Sequence, residues 1–179
     1  MKFFLLCALL LALVAAKVQV EVIYDSDLGL AGLEALDAFP SSSVDLTLRP
    51  VNANASKGKS REILLAQQCA VKEAKASAPE LVVKVAALVH CLRTWAPQII
   101  GYIAYCWVSN YSVGSADQVK SFEQCATADW SKPETSTKDI SQVSGSLPIV
   151  RVNGQDVKSD DIKETICNQL GHSIAACKQ

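Results

Sequence analysis

The sequence predicts an α/β sandwich in which a helical insertion separates a βαβ half from a ββα half. Three observations carry this prediction. Short alternating strands rich in β-branched residues stand near the start and near the end of the chain. Between them lies a long stretch with apolar residues spaced three and four apart. Six cysteines behind an apolar leader place the whole in an oxidising compartment.

The leader comes first. Lys2 precedes an unbroken apolar run from Phe3 to Ala16, and the small residues Val14 and Ala16 suit signal peptidase, so cleavage is expected after Ala16. The run is too short to span a bilayer, which takes roughly 20 apolar residues as a helix. The next most apolar stretch, Leu81 to Leu92, contains Lys84 and His90. It reads as a buried or amphipathic helix, and no membrane insertion is expected. The mature chain, Lys17 to Gln179, has the length of one domain. The full chain carries 17 basic and 18 acidic residues with no basic tract, which argues against nucleic acid and anionic membranes as partners. An aromatic content of 6% leaves few platforms for stacking single strands.

In the first strand Val18, Val20, Val22 and Tyr24 alternate with Gln19, Glu21 and Ile23. Asp27 is then expected to cap a short helix with Leu28, Leu33, Leu36 and Phe39 at helical intervals, stopped by Pro40. A second strand has Val44, Leu46 and Leu48 alternating with Asp45, Thr47 and Arg49. Helices are predicted over Arg61 to Lys75 and, opening on Pro79, as far as Thr94. Gln118 to Ala128 makes another, with Val119, Phe122 and Cys125 on one face. A loop rich in Ser and Thr runs from Ser131 to Ser146. Leu147 to Val152 reads as a strand that opens near Pro148. Asn153-Gly154 is the strongest hairpin signal in the chain. Asp160 is expected to cap a last helix through Leu170, ended by Gly171. The order suits a thioredoxin-like sandwich with a helical insertion at about 59–130.

Of seven cysteines, Cys7 leaves with the leader, and Cys69, Cys91, Cys106, Cys125, Cys167 and Cys177 remain. An even number in a secreted chain points to three disulfides, and sequence alone leaves most of the pairings open. Cys167 with Cys177 is the strongest local pair, because Gly171 lets the chain return. No two cysteines stand in the C-x-x-C spacing of a redox dithiol or a zinc knuckle. With only His90 and His172, neither beside a second ligand, no metal site and no cofactor is expected. His90 and Cys91 are adjacent helix residues that point about 100° apart, so they do not form a thiolate–imidazole pair. Ser26 and Ser41 to Ser43 lack a G-x-S-x-G elbow and a placed histidine. Gly29-Leu30-Ala31-Gly32 is too short for a phosphate-binding loop. Two sequons, at Asn54 and Asn110, are candidate N-glycan sites.

Val22-Ile23-Tyr24-Asp25-Ser26-Asp27, the strand Val44 to Pro50, the segment Leu147 to Gly154 and the Cys167–Cys177 pair together resemble the gamma-interferon-inducible lysosomal thiol reductases. The resemblance extends over nearly the whole mature chain and is closest to the divergent arthropod secretory and salivary branch. It implies a thioredoxin-like fold, counterparts for all six mature cysteines, and a cis-proline at Pro148 opening the third core strand. It also implies a C-x-x-C after the first strand, where a helix N-terminus would lower a thiol pKa and make the attacking thiolate. Here Leu28 and Ala31 occupy those two positions. The family's Cys-Gln-His-Gly segment is likewise missing from 52–61. Without a thiolate no mixed disulfide forms. The expected protein is therefore secreted, disulfide-stapled and not an enzyme. Its expected work is binding a polypeptide or cell-surface partner through Leu28, Leu30, Leu147 and Pro148. The alternatives are a residual thiol-disulfide oxidoreductase using a non-motif cysteine such as Cys69 or Cys91, and a structural or storage role.

Overall fold

The computed structural model describes residues 17–30, 33–52, 59–86, 120–121, 124–125, 146–171 and 174–178. The leader, Ala31, Cys91, Cys106, both histidines and both sequons lie outside the described residues.

Among the described residues four strands form one mixed sheet, in the order β2-β1-β3-β4. Strand β1, Val18–Asp25, pairs in parallel with β2, Val44–Val51, from Val18 opposite Val44 to Asp25 opposite Val51. Strand β3, Ile149–Val152, runs antiparallel to β1, and β4, Gln155–Val157, antiparallel to β3. Val18, Val20, Val22 and Tyr24 of β1 are buried, as the alternation predicts. Ile23, on the other face, is buried too.

The helix expected after Asp27 is not an α-helix. A turn follows β1, and a five-residue 3-10 helix, Glu34–Ala38, comes later, with Leu33 rather than Asp27 at its N-cap. The reason is in the spacing. Leu30, Leu33, Leu36 and Phe39 recur every third residue, which suits three residues per turn, and all four are buried. Their backbone bonds have the same step, Leu33 N to Leu30 O, Leu36 N to Leu33 O and Phe39 N to Leu36 O.

Helix α1, Lys59–Ser77, exceeds the predicted 61–75 by two residues at each end. Ile63, Ala66, Ala70 and Ala74 form its buried stripe. A 3-10 turn, Pro79–Leu81, opens on Pro79 and leads into helical backbone at 82–86. No described helix is long and apolar enough to cross a membrane.

The second half is organised locally. Asn153 and Gly154 adopt φ 50 and φ 81, the left-handed pair that a two-residue hairpin turn requires. Asn153 bonds to the backbone of Gln19 at the start of β1: its N–H donates to Gln19 O at 2.8 Å, and its side-chain Oδ1 accepts from Gln19 N at 3.0 Å. Helix α2, Ile162–Gln169, follows a 3-10 turn, Ser159–Asp161. Asp160 lies inside that turn and does not cap; Asp161 holds the N-cap position with no side-chain cap bond. Ile162 and Ile166, one turn apart, are buried, and Gly171 ends the segment at φ 64.

Two disulfides lie among the described residues. Cys167–Cys177 is the predicted local pair, with Cα atoms 5.5 Å apart. Cys69–Cys125, at 5.8 Å, joins α1 to a point 56 residues on and settles a pairing the sequence left open. On the sheet face opposite Val20 and Val22, an ion-pair ladder crosses all four strands. Glu21 of β1 accepts from Arg49 of β2 at 2.9 Å and from Arg151 of β3 at 3.0 Å, and Arg151 also reaches Asp156 of β4 at 3.0 Å. At the outer strand β2, Lys75 of α1 donates to Thr47 Oγ1 at 3.0 Å and pairs with Asp45 at 3.4 Å.

Candidate functional site

The site is the sheet end where β1 and β2 finish and β3 begins. Ile23 is the register partner of Ile149, so the turn after Asp25 and the Leu147-Pro148 segment leave the sheet side by side. The Leu147–Pro148 peptide bond is cis, as the resemblance implies.

The turn is held by Asp25. Its carboxylate Oδ1 accepts from Asp27 N at 2.7 Å, and its backbone oxygen accepts from Leu28 N at 3.1 Å and Gly29 N at 2.8 Å. Asp25 is thus a turn-forming group, and Asp27 does not cap the 3-10 helix, whose N-cap is Leu33. Gly29 sits at φ 75, a left-handed conformation in which a Cβ is strained, and there the chain reverses direction. Leu28 is thrown outward, 67% exposed, while Leu30 turns back into the core at 4%. Leu30 was a candidate for the contact patch; its burial removes it. Leu147 is half-buried and Pro148 exposed, so both remain accessible. Ala31 lies outside the described residues.

Beneath the turn is a buried polar knot. Ser26 N–H donates to Val51 O at 2.8 Å, Asn52 Nδ2 donates to Ser26 Oγ at 3.1 Å, and Gln67 Nε2 of α1 donates to Ser26 O at 2.9 Å. All three side chains are buried, at 0 to 1% exposure. Ser26 is therefore a structural hydroxyl and not a nucleophile. Asn52 and Gln67 escape sequence reasoning: a glutamine inside an otherwise apolar helix stripe is the one signal that points to them. Tyr24 is wholly buried nearby in sequence, and its Oη has no hydrogen-bond partner among the described residues. Burial pushes its phenol far above the ordinary tyrosine range, so it stays neutral and does no acid–base work.

The chemistry follows from this geometry. Among the described residues no α-helix begins at position 28, and the N–H groups of Leu28 and Gly29 donate to Asp25 O.

Comparison with solved structures shows the fold. MdbA, a thiol-disulfide oxidoreductase from Actinomyces oris, superposes with a TM-score of 0.57 over 88% of this chain and 80% of that chain, at 12% identity. The fold is thioredoxin-like, and identity at that level speaks to fold alone. No protein-family model matches the chain, and no curated protein matches it.

Proposed function

We propose that this protein is a secreted, non-catalytic relative of the gamma-interferon-inducible lysosomal thiol reductases, of the arthropod secretory and salivary branch, that works by binding. Its partner is a polypeptide or cell-surface protein, held at the sheet end that carries Leu28, Leu147 and Pro148. The observation that supports this reading is Leu28 itself, the one large apolar side chain exposed among the described residues, at the position where the family resemblance expects the first motif cysteine. An apolar residue raised on a turn that is anchored by buried hydrogen bonds is a preorganised contact, which lowers the cost of ordering on binding.

The test has two arms. Mature protein starting at Lys17 is expected to give no insulin reduction above a blank, and to hold a reduced, alkylated polypeptide on a sensor surface. Leu28→Asp is expected to weaken that hold about fivefold or more without moving the melting curve. Turnover above the blank, or an unchanged hold after Leu28→Asp, refutes the reading. The likeness to a thiol-disulfide oxidoreductase favours a second reading, residual exchange through a non-motif cysteine. A free-thiol count on the unreduced protein separates the two: zero for binding, at least one for exchange.

A further inference from the structure

A cleft of about 250 Å3 lies at the opposite end of the sheet, where β1 and β2 begin. The eight residues of β1 put it roughly 26 Å from the turn at Asp25. Its floor is apolar, built from Leu36 of the 3-10 helix, Phe39 at that helix's C-cap, Val44 of β2, and Val83. Its rim is charged, with Lys17, Asp45, Lys75 and Glu80. At roughly 30 Å3 per water in the liquid, the space matches about eight non-hydrogen atoms, well below a drug-sized ligand.

The rim charges decide the kind of head group. Lys75 and Asp45 neutralise one another. Lys17 and Glu80 form no ion pair among the described residues. Cleavage after Ala16 turns the Lys17 backbone nitrogen into an ammonium one residue before β1, so Lys17 then brings two positive charges against the single negative charge of Glu80. We infer that this cleft binds a short aliphatic carboxylate, its chain on the Leu36–Phe39–Val44–Val83 floor and its carboxylate at the Lys17 rim. The inference rests on the secreted reading through that new ammonium, and it is independent of partner binding at Leu28.

The probe is hexanoate, titrated into protein starting at Lys17 and followed by amide NMR shifts, with hexanol and hexylamine as controls. Saturable hexanoate binding is expected, with the largest shifts at Val44 and Val83, and with hexylamine weaker by about fivefold or more. Lys17→Glu, a surface change that leaves the floor intact, is expected to weaken hexanoate by a similar factor and leave hexanol unchanged. Non-saturable shifts, equal binding of the amine, or an unaltered Lys17→Glu variant overturns the inference. N-terminal sequencing of secreted material separates the two readings. A Lys17 start without hexanoate binding overturns the cleft alone, whereas any other start overturns both the leader reading and the cleft.

Discussion

The two halves of this sheet are built by different means. In the ββα half three stabilising devices are close in sequence, the Asn153-Gly154 turn, the Ile162–Ile166 step of α2 and a disulfide closing ten residues, beside the bonds of Asn153 and Arg151 to β1. In the βαβ half the devices reach far along the chain. Gln67 ties to Ser26 across 41 residues, Asn52 to Ser26 across 26, and Cys69 to Cys125 across 56. The lesson is that the turn after β1 depends on contacts from the helical insertion, whereas the second half adds close-range ties of its own to its pairing with β1.

The largest expected effect tests this division directly. Removing Cys69–Cys125 by paired alanine substitution should cost about 4 kcal/mol by loop entropy, against about 3 kcal/mol for Cys167–Cys177. Denaturant unfolding of the two variants gives the order, and a reversed order breaks the comparison. Next, Gln67→Ala should cost about 2 kcal/mol, from a buried hydrogen bond lost and a small cavity left. Exchange of the Leu28 and Gly29 amides should speed up in that variant while the Asn153 amide does not change; a uniform acceleration would mean that the two halves are one cooperative unit.

A smaller effect of opposite sign is expected at Tyr24. Its buried hydroxyl has no partner among the described residues, so Tyr24→Phe should stabilise by about 1 kcal/mol, read from the urea midpoint. Lower stability would show that the hydroxyl is paired.

The smallest effect is pH-dependent and spans both halves. The Arg49 hydrogen bond, then that of Arg151 and the charges of both, outweigh desolvation and hold the Glu21 carboxyl below its ordinary value of 4.5. A carboxyl lowered in the folded state adds stability that is complete above the unfolded value and is lost as pH falls through the folded one. All three side chains are about a third exposed, so the contribution is that of a surface network, at most about 1 kcal/mol. Glu21→Gln should flatten the stability profile below pH 4.5 and leave its shape at neutral pH unchanged.

What was legible in the sequence follows the same division. The strands, the hairpin, α2 and Cys167–Cys177 are written in local patterns and appear within a residue or two of expectation. The short helix after Asp27 is a 3-10 helix instead, because Leu28, expected on its apolar face with Leu33, Leu36 and Phe39, is exposed before the Gly29 reversal, and the buried residues Leu30, Leu33, Leu36 and Phe39 recur every third position. At the site, Leu28 and Leu30 looked equivalent. Only the hydrogen bonds gathered at Asp25, together with the fold of α1 over Ser26, decide that one faces solvent and the other the core. Gln67 and Asn52 were invisible because their partner is distant in sequence.

The two outer strands of the sheet among the described residues carry a consequence for association between copies of the chain. Strand β2 includes Pro50, which lacks an N–H to offer, and Lys75 leans across it to Thr47 and Asp45. Strand β4 is three residues long, with Gln155 and Asp156 exposed. A second copy seeking to extend the sheet therefore meets a missing donor and a lysine at one border and too few rungs at the other. Such borders discourage cross-β templating, so the chain can stay dispersed where a flat, apolar border would seed fibres.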